Sequence, residues 1–204
     1  MVEEMNSDWQ EQLEAHRAKT RGKIMGAALE LVSQHGVAGT TMSKVAERAA
    51  ISRATLYKYF PDVPQVLMAW VLEEVSRGVD HLEAGLADLL EPIAKLEFFV
   101  TELLRTWAGA EHRFGVEQLA ADLPRDDLEQ MEVQMRRLRC LLAELLTEGV
   151  REGSFRRELD PEFQADVLLH MIVGLRTLVL REDSSEDDVA ASVSGILLSG
   201  LTAD

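Results

Sequence analysis

The chain has 204 residues, 47% of them apolar and 28% charged, and a formal net charge of −15 at pH 7. That apolar share supports a buried core and excludes wholesale disorder. The single cysteine, Cys140, excludes an internal disulfide and fits a reducing compartment. The opening run MVEEMNSDWQEQLEAH has neither a basic start nor an apolar stretch, so no signal peptide is expected. The most apolar stretch, residues 167–180, contains His170 and Arg176 and is too short to span a bilayer. A cytoplasmic protein with no membrane partner is expected.

Strand signals are weak throughout, whereas helical periodicity is strong, so an all-α fold of about nine helices is expected. Ile24, Ala27, Ala28, Leu31 and Val32 repeat at helical spacing, and Gly36 ends that first helix. Thr41 caps a second helix whose inner face is Met42, Val45, Ala46 and Ala49. Ala50 and Ile51 form a short turn, and Ser52 caps a third helix expected to reach Phe60. Asp62 caps a long fourth helix over residues 63–89, with Pro64 tolerated in its first turn. Pro92 opens a fifth, to about residue 107. Gly109 and Gly115 bracket a link, followed by a short helix over 116–121 and, after Pro124, a helix over 126–151. Asp160 and Pro161 start the next. Ser184, Ser185, Asp187 and Asp188 offer a capping box for the last, which Gly200 closes.

Charge is segregated along this plan. Between Arg17 and Phe60 there are eight Lys or Arg residues against two Glu, a net +6, so the rest of the chain carries −21. A basic head on an acidic body suits a head that meets phosphates. The head also holds three short helices, the second and third separated by only a few residues, as a helix-turn-helix requires. In the third, Ile51, Leu56 and Phe60 are expected to pack inward, leaving Arg53, Thr55, Tyr57, Lys58 and Tyr59 outward or at the rim. Exposed tyrosines suit a groove, because a phenol offers apolar surface and a hydroxyl together.

These residues resemble the TetR family. The stretch TTMSKVAERAAISRATLYKYF is similar to that family's signature, and the likeness covers residues 20–67. It extends more weakly to GVREGSFRRELDPEFQADVLLHMIVGL, similar to the family's lead into its dimerisation helices. The resemblance implies a division into a DNA-binding domain, residues 17–62, and an effector-binding and dimerisation domain, residues 63–204. It implies that Thr41, Ser43 and Lys44 anchor the second helix on the DNA backbone. Ser52, Arg53, Thr55 and Tyr59 would touch phosphates, while Ala54 allows close approach and Tyr57 and Lys58 enter the major groove. Three departures stand out: Ala50-Ile51 replaces the usual Gly-Val, although alanine resists positive φ. Lys58 replaces a residue that is often aromatic. Val63 stands where many members place a lysine, and the basic cluster from Arg17 to Lys23 is a compensating source of phosphate contacts.

In the body, the helix after Pro161 is apolar on nearly all sides, so one side needs a partner. With the last helix it is expected to form a four-helix bundle across a two-fold axis, through Leu168, Met171, Ile172, Leu175, Val193, Ile196 and Leu197. A homodimer would read a pseudo-palindromic operator in double-stranded DNA, with recognition helices ~34–36 Å apart or a multiple of that turn. Trp70, Phe98, Phe99, Leu103, Trp107, Phe114, Met131 and Met135 are candidates for an apolar effector pocket, or equally for plain core. Glu102 and Arg105 read as a solvated i, i+3 pair that could orient a polar ligand group.

No cofactor, metal site or enzyme is expected: His16, His35, His81, His112 and His170 are scattered without ligand spacing, and no phosphate-cradling loop or nucleophile elbow occurs. Cys140 reads as a core thiol and His170 as a satisfied interface histidine. The expected function is a DNA-binding transcription repressor released by a small-molecule effector. The alternative is a helical ligand-binding or adaptor protein whose DNA head has lost function.

Overall fold

The structure is a computed structural model that describes residues 2–114, 125–179 and 185–203; the side chains of 2–8, 11, 107–114, 176–179 and 186 are outside the description. Every regular element among the described residues is a helix: α1 (Val2–Gly39), α2 (Met42–Arg48), α3 (Arg53–Leu56), α4 (Val63–Ala87), α5 (Pro92–Phe114), α6 (Arg125–Glu152), α7 (Pro161–Val179) and α8 (Glu186–Leu201). They fall into two compact units, Met1–Trp70 and Val71–Asp204. No helix among the described residues is long and apolar enough to cross a membrane.

In the first unit, α1 buries Ile24, Met25, Ala27, Ala28, Leu31 and Val32, the stripe that its sequence period selects. Gly36 breaks the helix with φ 69°, a conformation glycine takes without a Cβ penalty. The helix starts at Val2, so the acidic N-terminal run is helical and continuous with the head. Thr40 turns the chain, donating its hydroxyl to Gly36 O at 2.9 Å. Helix α2 packs on α1 and α3 on α2, and Val45, Ala46, Leu56, Phe60, Val63, Val66 and Leu67 are buried there. The Arg21 guanidinium lies 4.9 Å from the centre of the Phe60 ring, a cation–π contact at the edge of this core.

The second unit is organised around α5, which packs against α6, α7 and α8, while α6 also packs along α7. Its fully buried side chains include Leu82, Leu96, Phe99, Leu104, Leu138, Leu142, Leu146 and Ile172. Two glycines of α4 permit close helix approach: a Cβ on Gly78 would overlap Thr106, and one on Gly85 would overlap the Phe98 ring. Polar ties flank the core. Arg137 of α6 donates to Asp80 at 2.8 Å and Glu83 at 2.6 Å on α4, which strengthens its hold on its proton, through Glu83 first. Lys95 of α5 pairs with Glu148 of α6. The chain's end is pinned to the α6–α7 loop by Arg156 N–H donating to Leu201 O at 2.9 Å and by a bridge between Phe155 and Thr202.

Several expectations need correction. The third helix is regular only to Leu56; Lys58 and Tyr59 donate to Thr55 O and Leu56 O, an i to i−3 pattern that tightens the last turn. Pro61 explains the early stop, because it disfavours helical dihedrals at the residue before it. The fifth helix does not end near residue 107 but continues through Gly109 to Phe114, since a single glycine weakens a helix without breaking it. The last helix passes Gly200 and ends at Leu201, where Thr202 caps it. Ser185 is its N-cap, accepting from Asp188 N–H at 3.1 Å. The helix expected over 116–121 and Ser184 lie outside the described residues.

Candidate functional site

The head presents its candidate DNA face through three capped junctions. Thr41 is extended (φ −126°, ψ 151°) and its hydroxyl accepts from Lys44 N–H at 3.4 Å, opening α2. The close of α2 is a Schellman motif: Ala50 N–H donates to Glu47 O at 3.1 Å and Ile51 N–H to Ala46 O at 3.0 Å. That motif needs a left-handed residue, and Ala50 supplies it at φ 55°, alone among the described non-glycine residues. The turn therefore keeps its tight geometry despite lacking glycine, at the cost of local strain. Ser52 then caps α3, accepting from Thr55 N–H at 3.0 Å and sharing a 2.8 Å hydrogen bond with the Thr55 hydroxyl.

These junctions aim the side chains of α3. Leu56 and Phe60 are buried and Ile51 is half-buried, which fixes the opposite face outward. Arg53, Ala54, Tyr57 and Lys58 are exposed, Tyr57 by 56%, while Thr55 and Tyr59 are half-buried at the rim. Thr41, Lys44 and Ser52 are also exposed and Ser43 is half-buried. Four candidates have internal work: the Thr41 and Ser52 hydroxyls are caps, the Thr55 hydroxyl shares a hydrogen bond with that of Ser52, and Lys44 Nζ donates to Gly39 O at 2.9 Å. Arg48 is ion-paired with Glu30 at 2.8 Å. Val63 is buried, so its apolar side chain serves the head's core.

In the second unit, Phe99 and Leu103 are buried and Met131 and Met135 half-buried. Trp70 is buried in the first unit, and the side chains of Trp107 and Phe114 lie outside those described. Of the candidate ligand residues, Leu103 borders an interior space shared with Val75, Gly78, Val79, Leu82, Glu102, Thr106 and Leu138. This space is too tight to admit a water-sized sphere. Its polar element is Glu102, which the sequence offers with Arg105 as a pair that could orient a polar ligand group. The Glu102 side chain is only 12% exposed, which corrects its reading as a solvated pair. It pairs with Arg105 and lies 3.7 Å from His81 Nε2, and Arg105 reaches on to Asp187 at 3.2 Å. The packing of Gly78 against Thr106 draws α4 and α5 together there, a signal visible only in three dimensions.

The candidate dimer residues divide by face. Leu168, Ile172, Val193 and Leu197 are buried within the chain, and Leu175 is half-buried. Met171 and Ile196 are exposed by 46% and 65%, beside exposed Gly174 and Gly195, where an added Cβ would meet nothing. His170 is exposed, with Nδ1 2.7 Å from Asp166 O. Cys140 is exposed rather than in the core, because α6 turns Leu138 and Leu142 inward and leaves position 140 on the outer face. Among the described residues no cluster of three or more His, Cys, Asp or Glu side chains could hold a metal ion.

Comparison with known proteins agrees with this geometry. Residues 24–62 match the bacterial regulatory proteins of the tetR family. The chain is 24% identical over 184 residues to the fatty acid metabolism regulator protein of Bacillus subtilis (strain 168), covering 88% of this chain and 94% of that protein. The crystal structure of FadR from Bacillus subtilis in complex with stearoyl-CoA superposes with a TM-score of 0.65 at 21% identity, covering 87% of this chain and 97% of that one. A transcriptional regulator of the TetR/AcrR family from Thermobifida fusca YX-ER1 superposes with a TM-score of 0.69 at 24% identity, covering 88% and 97%. The structural likenesses show a shared fold through head and body alike. The capped helix-turn-helix of the head realises the motif that residues 24–62 share with the tetR family of bacterial regulatory proteins, and the chain as a whole has the fold of solved regulators similar to it.

Proposed function

We propose that the protein is a cytoplasmic, homodimeric transcription repressor that binds a pseudo-palindromic operator and is released by a small-molecule effector. The observation that carries this reading is the exposed row Arg53, Ala54, Tyr57 and Lys58 on a helix-turn-helix held by Thr41, Ala50 and Ser52. Arg53 would meet phosphate as α3 begins, Ala54 would let the helix approach, and Tyr57 and Lys58 would reach base edges in the major groove. Thr41, Ser43, Lys44, Ser52, Thr55 and Tyr59 would set the register on the backbone. Residues 17–62 would do this work, and residues 63–204 would bind effector and partner.

The effector region is proposed around Phe99, Leu103, Met131 and Met135. The space beside Leu103 is closed, so a ligand would have to select a more open body. A ligand that binds the open form better than the closed one shifts the population between them, and only that difference in affinity can act on the head. Dimerisation is proposed through the outward face of α7 and α8, where exposed Met171 and Ile196 flank Gly174 and Gly195. The adaptor alternative is not favoured, because the head keeps a fully capped motif and Val63 has a packing reason for its apolar side chain. Fluorescence anisotropy with the DNA flanking the protein's own gene tests the proposal. Saturable, sequence-specific binding that weakens with added salt is expected. A stable dimer with no preference for any flanking sequence, even at low salt, would overturn it.

A further inference from the structure

We infer that the closed space beside Leu103 opens to take an organic cation, an ammonium or guanidinium group on an apolar body, with the Glu102 carboxylate as its counter-ion. The inference rests on the reading that the body holds an effector, and it names that effector's charge. The walls of the space are Val75, Val79 and Leu82 of α4, Leu103 of α5 and Leu138 of α6, all of them buried aliphatic side chains. Among the lining residues Glu102 alone carries a charge, and Thr106 adds one hydroxyl. Such a lining holds an apolar body and orients it through one charged group. A metal ion is a poor occupant, because a hard cation needs several oxygen ligands at once and aliphatic walls supply none.

The sign of the ligand's charge follows from a local imbalance. Glu102 and Asp187 share one guanidinium, that of Arg105, so two acids stand against one base. Arg105 binds Glu102 through Oε1. His81 Nε2 approaches Oε2 only to 3.7 Å, longer than a hydrogen bond, so that oxygen keeps acceptor capacity for a further donor. Beside Leu82 and Leu138 in the sequence the same count recurs, since Arg137 donates to both Asp80 and Glu83. An arriving cation neutralises the surplus charge. An arriving anion would instead meet Glu102 in a poorly solvated space, with Arg105 already held by two carboxylates. Arg105 is half-exposed, so a cation that displaces it from Glu102 releases it to water and to Asp187 at little cost. The charge of the unit acts in the same direction. Residues 71–204 carry 28 Asp or Glu against 13 Lys or Arg, a net −15 that favours a cation's approach.

The test is isothermal titration calorimetry of the full chain without DNA, which keeps the result separate from the DNA-binding reading. Three ligands of equal chain length are compared: decylammonium, 1-decanol and decanoate. Decylammonium should bind saturably and at least about tenfold more tightly than 1-decanol, the contribution of one hydrogen bond to a charged group. Decanoate should bind more weakly than either. Glu102→Gln keeps the shape and removes the charge, so the preference for decylammonium over 1-decanol should shrink to about threefold or less. A loss of packing alone would weaken both ligands together and leave their ratio unchanged. Arg105→Gln, at a half-exposed position, should raise the ratio by removing the competing guanidinium. If 1-decanol or decanoate binds as tightly as decylammonium, or the preference survives Glu102→Gln, the inference is overturned while the effector reading stands. Binding by none of the three would overturn it together with the siting of the effector beside Leu103.

Discussion

Replacing Ala50 by glycine should stabilise the DNA-binding head. Ala50 sits at φ 55° as the left-handed residue of the Schellman motif that ends α2, with its own N–H on Glu47 O and that of Ile51 on Ala46 O. An alanine in this region is disfavoured by ~1–2 kcal/mol relative to glycine, because its Cβ crowds the following carbonyl. Glycine also gives the unfolded chain more freedom, which takes back ~0.4–1 kcal/mol. Ala50 is exposed, so its methyl group contributes little packing that glycine would lose. The net expectation is a gain of roughly 0.5–1 kcal/mol, from the difference of these two terms. Native-state hydrogen exchange reads it locally: protection of the Ile51 amide should rise by a factor of roughly 2–5, the Boltzmann equivalent of that gain. Ala50→Val should move the other way, since a β-branched side chain tolerates positive φ worse still. Equal or lower protection in Ala50→Gly would refute the strain argument, and with it the claim that this turn is under tension.

Three further outcomes are expected. Tyr57→Ala should cost ~1–3 kcal/mol of operator affinity and relax base preference, measured by anisotropy against a panel of substituted operators. Its melting temperature should barely move, because Tyr57 is 56% exposed. Gly149→Ala should destabilise the body by ~1–3 kcal/mol in urea titration, because a Cβ there would overlap the buried Phe155 ring. If the proposed dimer forms through α7 and α8, Ile196→Glu should convert it to monomer in sedimentation, at a cost of ~2–5 kcal/mol for an unpaired charge at a buried interface. The monomer's own helicity should persist, since Ile196 is 65% exposed within one chain.

What was legible in the sequence depended on whether the determining interactions were local. Caps were legible: Thr41, Ser52, Asp62, Asp160 and Ser185 each accept, or belong to, the hydrogen bond that starts a helix, within three residues of themselves. The stripe of α1 was legible for the same reason. Helix ends were less so. Gly109 and Gly200 suggested breaks, yet α5 and α8 run past them, because tertiary packing outweighs the ~1 kcal/mol that a helical glycine costs. The short α3 reflects a conflict that periodicity does not register: an inward Phe60 is wanted at helical spacing, but Pro61 refuses the helical dihedrals just before it.

The DNA face and the body differ in legibility for a related physical reason. On the head, Leu56 and Phe60 are close in sequence to Arg53, Tyr57 and Lys58, so the inward pair dictates the outward row without any long-range information. In the body, a cavity exists only where separate helices fail to fill the space between them. Phe99 and Leu103 have the residue types of a pocket and the burial of a core, and nothing in their local sequence distinguishes the two. The closed space beside Leu103 arises because Gly78 lets Thr106 approach, and the same approach encloses the Glu102 carboxylate. In an i, i+3 Glu–Arg pair that reads as solvated from one helix, the Glu102 side chain is thus largely covered once a second helix lies over it, while Arg105 stays half-exposed. Burial of that carboxylate ties its charge to Arg105, and through Arg105 to Asp187 at the start of α8. Any ligand entering beside Leu103 would therefore have to displace or join an ion pair that links α5 to α8. That gives occupation of the body an electrostatic as well as a steric consequence.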